Sequence, residues 1–251
     1  MTSAAIRFGR SRHVALHYEV LSYLDSGRDA ASLFVNRDDI PSWAASLSHV
    51  YPSELPDALA VQFLPLRCAD LDSLKERLAS SELRSFQYAL EGINDLSPEH
   101  QRRWESRARK DTDTIRQVCD EIAGPLARLR AALWSRIRMS PWPLTVYHVK
   151  AMGRCGRAVG YDGRRAVAVS LEMPIHHILY QIFHEETHVV SDRMVDRDAT
   201  RSTRHGSDGY EVHRRLERAA VMLGLDVIKR SMPSLLDGYL IWAEAWGIEL
   251  R

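Results

Sequence analysis

The chain has 251 residues, 45% hydrophobic and 27% charged, with a formal net charge of +1. That is the profile of an ordinary globular protein with enough chain for one large core or two small ones. It excludes a disordered, collagen-like or disulfide-dense chain, and the near-neutral balance gives no argument for nucleic acid.

The N-terminus, MTSAAIRFGRSRH, has basic residues but no apolar run behind them, so no secretion signal is expected. No stretch approaches the roughly 20 apolar residues that span a bilayer, so no membrane partner is expected. His13 to Gly27 places apolar residues at helical spacing and ends on a glycine, which predicts a helix. His13 and His17 within it have i, i+4 spacing but no glutamate after the first, and read as amphipathic surface positions. Prolines 41, 52, 56 and 65 break up the next stretch, and Leu71 to Leu90 is again helix-like. Ser97-Pro98-Glu99 carries the signature of a helix start. A long amphipathic segment from Thr112 to Ile137 is interrupted at Gly124-Pro125, where a kink or break is expected.

The pattern changes at Pro141. Pro143 to Lys150 alternates and is rich in β-branched residues, as a strand would be. Two further apolar runs flank Tyr161-Asp162-Gly163, a hairpin signal. Pro174 opens a helix, and a polar loop separates it from another helix expected to end at Gly224. A last apolar helix follows Pro233. The expected class is α+β: a helical region over 1–140, then a small sheet packed on helices over 141–251. The three cysteines, Cys68, Cys119 and Cys155, are odd in number and form no CxxC pair. They read as buried reduced thiols of a cytoplasmic protein.

His184-Glu185-Glu186-Thr187-His188 is an HExxH sequence. On a helix, residues i and i+4 share a face, so both imidazoles reach one metal ion. A catalytic Zn2+ takes three protein ligands and leaves one position to water, from which a carboxylate, here Glu185, accepts a proton. Ile178, Ile182, Phe183, Val189 and Val190 give this helix an apolar face to bury. His177, seven residues before His184, shares its face and could line the cleft.

With a strand, a hairpin and then the HExxH helix, residues 141–225 resemble the zincin metallopeptidases. The resemblance implies a zinc-dependent hydrolase acting on a peptide or protein, with an extended substrate pairing along the strand nearest the cleft. His184 and His188 would be ligands and Glu185 the general base. The metzincin third-ligand pattern is absent, because Ser191 and Met194 occupy its positions. His205, in Arg204-His205-Gly206 at the end of the polar loop, resembles the His-Gly of SprT-like metallopeptidases and is the preferred third ligand. Glu211, in the first turn of the next helix, is the gluzincin-like alternative. Tyr210 or His213 could stabilise an oxyanion. A second reading keeps the chain as a binding module with a structural or vestigial zinc site. Basic residues outnumber acidic ones 15 to 6 between Gln101 and Arg165, and nucleic acid would be the partner in that case.

Overall fold

The computed structural model of the protein describes residues 5–24, 58–191 and 208–248. The class is α+β. Four strands, β1 (Ile6–Gly9), β2 (Leu144–His148), β3 (Gly156–Tyr161) and β4 (Arg164–Val169), form one sheet in the order β1-β2-β4-β3. The first two pairings are parallel, with Phe8 opposite Val146 and Val146 opposite Val167. β3 and β4 form the expected antiparallel hairpin. Its two-residue turn has positive φ at both Asp162 (46°) and Gly163 (70°). Asp-Gly tolerates that backbone and matches the twist of the strands.

Alternation along β4 divides the core in two. Ala166 and Ala168 face one cluster, Val167 and Val169 the other. The first cluster is covered by α1 (Arg12–Leu24), α2 (Ala58–Phe63), α3 (Leu71–Ala79) and α4 (Arg84–Ser106). The second is covered by α5 (Ala108–Ser135), α6 (Ile175–Ser191), α7 (Asp208–Ser231) and α8 (Leu236–Ala245). The result is a sheet between two helical layers, a stable way to bury both faces. No helix among the described residues is long and apolar enough to cross a membrane. Cys68 and Cys155 are buried and Cys119 is half-buried; none is in a disulfide.

Several elements depart from the sequence expectations. β1 lies in the stretch expected to be all-helical. It is four residues long and includes Arg7 and Gly9, so it carries almost no alternation to read. Leu71–Leu90 is two helices, the first capped by a reciprocal pair: Asp70 Oδ1 accepts from the Ser73 amide (2.8 Å) and Ser73 Oγ from the Asp70 amide (3.1 Å). Pro98 does not start a helix but lies inside α4, and α5 runs unbroken through Gly124-Pro125. An interior proline costs about 3 kcal/mol, and here the buried stripe on both sides of it offsets that cost. In α4 the stripe is Phe86, Ala89, Ile93, Leu96 and His100; in α5 it is Val118, Ile122, Leu126, Leu129 and Leu133. Gly224 does not end α7. A Cβ there would lie 2.9 Å from Tyr239 Cζ, so the glycine admits the tyrosine ring of α8.

α1 is buried nearly all round, and His13 and His17 are core rather than surface residues. Each buried polar group there needs a partner. His17 Nε2 donates to the Val61 carbonyl (2.9 Å), Tyr18 Oη to the Gln62 carbonyl (2.6 Å), and Glu19 meets His100 Nδ1 (2.7 Å) and Arg103 Nη2 (2.8 Å). Burial lowers His17 from its ordinary 6.5 to about 4, the largest of its influences. The unfolded chain therefore binds a proton at His17 that the native protein refuses. The stability held above pH 6.5 falls as pH drops from 6.5 towards 4, by up to about 3 kcal/mol from this residue. His13 and His148, also lowered by burial, act in the same direction. His17→Gln keeps a donor near Val61 without a titrating ring. Urea midpoints measured from pH 4 to 7 should fall less steeply in this variant, and an unchanged slope would refute the assignment.

Much of the basic excess in the middle of the sequence is taken up by internal pairs. Arg103 meets Glu19, Arg107 meets Glu172 (2.8 Å), Arg136 meets Asp226, and Arg157 Nε donates to Gln62 Oε1 (2.8 Å). Arg130 and Arg165 are buried against the HExxH helix.

Candidate metal centre

α6 begins just after Pro174, whose carbonyl accepts from the amides of His177 (2.9 Å) and Ile178 (3.1 Å). Ile178, Leu179, Ile182 and Phe183 fix the helix to the second core. Polar residues follow at a depth where they must be satisfied: Gln181, His184, Glu185, Glu186 and Thr187 are all buried. Thr187 Oγ1 donates back to the His184 carbonyl (2.6 Å). Glu186, wholly buried, accepts from Arg130 Nε of α5 (2.7 Å) and Arg165 Nε of β4 (3.0 Å). Each guanidinium also takes a backbone carbonyl: Arg130 Nη2 that of Trp142 (2.6 Å), Arg165 Nη2 that of Glu185 (2.9 Å). Burial raises the Glu186 carboxyl, and the two guanidinium groups outweigh it and hold it below its ordinary value.

On the other side of the helix, His184 and His188 converge with Glu217 of α7. His184 Nε2 lies 3.1 Å from His188 Nε2 and 2.9 Å from Glu217 Oε2, and His188 Nε2 lies 3.6 Å from Glu217 Oε1. The donor atoms all fall within 4.8 Å of one another. Burial pushes the Glu217 carboxyl up, but the charge and hydrogen bonds of His188 and His184 outweigh it and hold it well below the usual carboxylate range. Tetrahedral donors around an ion at about 2.0–2.1 Å stand roughly 3.3 Å apart. The observed 2.9, 3.1 and 3.6 Å bracket that spacing. Two imidazole nitrogens and the two oxygens of one carboxylate at these separations fit a divalent transition-metal ion. The His188 and Glu217 side chains keep 18% and 27% of their surface exposed, so the cluster opens to solvent. His184, by contrast, is buried, its ring 5.2 Å from that of Trp242 in α8, which stacks on Tyr239.

Glu185 leaves the helix towards β3. Its Oε1 accepts from Gln181 Nε2 (3.1 Å), one turn earlier. Gly156 of β3 makes room for it: a Cβ there would stand 2.7 Å from Glu185 Oε1 and 2.8 Å from Gln181 Nε2. Tyr18 of α1 is within electrostatic reach. Burial pushes its phenol up, Arg157 pulls it down and the Glu185 carboxylate adds to the rise.

Of the residues singled out in the sequence, His184 and His188 come together, and Glu185, next to His184 in the chain, turns towards β3; His177 is half-buried seven residues upstream. His205 lies outside the described residues. Glu211, Tyr210 and His213 fall in the first turns of α7, where side chains are also outside the described residues. Glu217 was not among the candidates. Its signal is faint but real: it opens the stripe Ala220, Val221, Gly224, Val227, Ile228, so a carboxylate stands on the buried face of an amphipathic helix. No family model, curated protein or solved structure matches the chain.

Proposed function

We propose that the chain is a zinc-dependent metallopeptidase, with His184, His188 and Glu217 as the metal ligands and Glu185 as the general base. The observation that carries this reading is the convergence of the two HExxH imidazoles and a carboxylate from a second helix, on a solvent-open side of the cluster. A closed four-ligand site would suit a structural role; three ligands among the described residues, two of them partly exposed, suit catalysis. A zinc ion bound there supplies Lewis-acid polarisation and a lowered water pKa. The Glu185 carboxylate takes a proton from the attacking water as the new C–O bond forms. It delivers that proton to the amide nitrogen as the C–N bond breaks, leaving an acid and an amine. Gln181 and the space at Gly156 hold the carboxylate for this task. β3 ends the sheet order, with no further described strand beside it, and an extended peptide can add to such an edge.

Metal analysis of the purified full chain tests this first. About one zinc per chain is expected, together with cleavage of unfolded casein that a chelator abolishes and zinc restores. Protein that takes up no metal on reconstitution would refute the reading. Iron in place of zinc would move it towards oxygen chemistry, since two histidines and one carboxylate also suit ferrous iron.

A further inference from the structure

The Arg130–Glu186–Arg165 cluster does something the metal ligands themselves do not. Glu186 is two residues from each ligand histidine, so on a helix it points away from them, into the protein. Any good helix former would satisfy the helix at that position. Instead the chain buries a carboxylate completely and surrounds it with one guanidinium from α5 and one from β4. Buried ion triads are a poor source of stability, because desolvation offsets their attraction and apolar replacements of similar volume often do as well. What they add is direction: charge-assisted hydrogen bonds fix orientation, whereas apolar contact is non-directional.

We propose that Glu186, Arg130 and Arg165 are positioning residues that set the rotation of α6 about its axis, so that His184 and His188 meet Glu217. Two of the bonds grip the Glu186 side chain from separate elements, and a third, from Arg165 Nη2, holds the Glu185 carbonyl inside the HExxH turn itself. A rotation of about 20° at the roughly 5–6 Å side-chain radius of a helix moves a ring nitrogen by about 2 Å. That equals a whole metal–nitrogen bond, so without the clamp the ligand set would not stay matched to α7.

This inference rests on the reading of the cluster as a metal centre, and the test separates the two. The full chain carrying Arg130→Met, Glu186→Leu and Arg165→Met together removes all three charges while keeping volume. Its folding is checked by circular dichroism and urea denaturation. Zinc affinity is measured against a competing chelator, and the visible spectrum of the Co2+-loaded protein reports coordination geometry. The expected result is a folded variant whose zinc affinity falls about 10–100-fold, as for other residues that orient ligands, with altered cobalt bands. Should the triple variant fail to fold, Arg165→Lys keeps the charge but loses the planar fork that reaches both Glu186 and the Glu185 carbonyl. It is expected to lose about 10-fold in zinc affinity, at the lower end of that range. A folded variant with wild-type affinity and wild-type cobalt spectrum overturns the proposal while leaving the metal centre standing. A wild-type protein that binds neither metal overturns both.

Discussion

Glu217→Ala is expected to lower zinc affinity more than about 100-fold, beyond the 10–100-fold seen when only the support of a ligand is lost. Glu217 is the one described group that reaches the two histidines from another helix, 2.9 Å from His184 and 3.6 Å from His188. Without it two imidazoles remain, both on α6, and nothing described completes the set. Titration with a competing chelator gives the affinity directly. Thermal unfolding gives an independent measure. Zinc at about a thousand times its Kd stabilises a native protein by roughly 4 kcal/mol, so the wild type should melt several degrees higher with zinc, and Glu217→Ala at the same zinc concentration should keep no more than about a third of that gain. His205→Ala is the necessary companion. If His205 were the third ligand, that variant would lose zinc and Glu217→Ala would keep it, reversing the assignment.

What the sequence made legible, and what it hid, follows from how far apart the cooperating residues lie. The HExxH helix and the Asp-Gly hairpin are local: their spacing is their geometry. Pro174, the apolar face from Ile178 to Phe183, and the turn at Asp162-Gly163 all appear where the pattern puts them. Glu217 is 29 residues beyond His188 on a separate helix, so only tertiary packing brings it in. A glutamate in an Arg-rich turn looks like a solvated charge until its neighbours Ala220 and Val221 are seen to be buried. Proline misled for a related reason. Its local penalty is fixed, but the burial that outweighs it at Pro98 and Pro125 comes from elements elsewhere in the chain. β1 was invisible because four residues with two polar or small members have no period. The same holds for α1, whose polar residues looked like a surface stripe and are instead paired inside the core, His17 with Val61 and Glu19 with His100 and Arg103.

Glu185→Gln should retain zinc and fold but lose about 100- to 10,000-fold of the hydrolytic rate, the range for a positioned acid–base group. Glu185 is not among the three converging ligand atoms; it turns towards β3, where Gln181 Nε2 donates to its Oε1. The amide variant fills the same space but accepts no proton, so binding and catalysis should separate cleanly in this one substitution. Gly156→Ala probes the same group from the strand side. Its new Cβ would stand 2.7 Å from Glu185 Oε1 and 2.8 Å from Gln181 Nε2, so one or both side chains must move. A misplacement near 1 Å costs on the order of 100-fold in rate. Gly156→Ala should therefore cut cleavage of casein by about that factor with zinc stoichiometry unchanged. The two variants fail in distinguishable ways. Loss of metal in Glu185→Gln would make Glu185 a ligand rather than a base. Full activity in Glu185→Gln would remove it from the chemistry altogether, and full activity in Gly156→Ala alone would mean that the carboxylate works from a position other than the pocket beside β3.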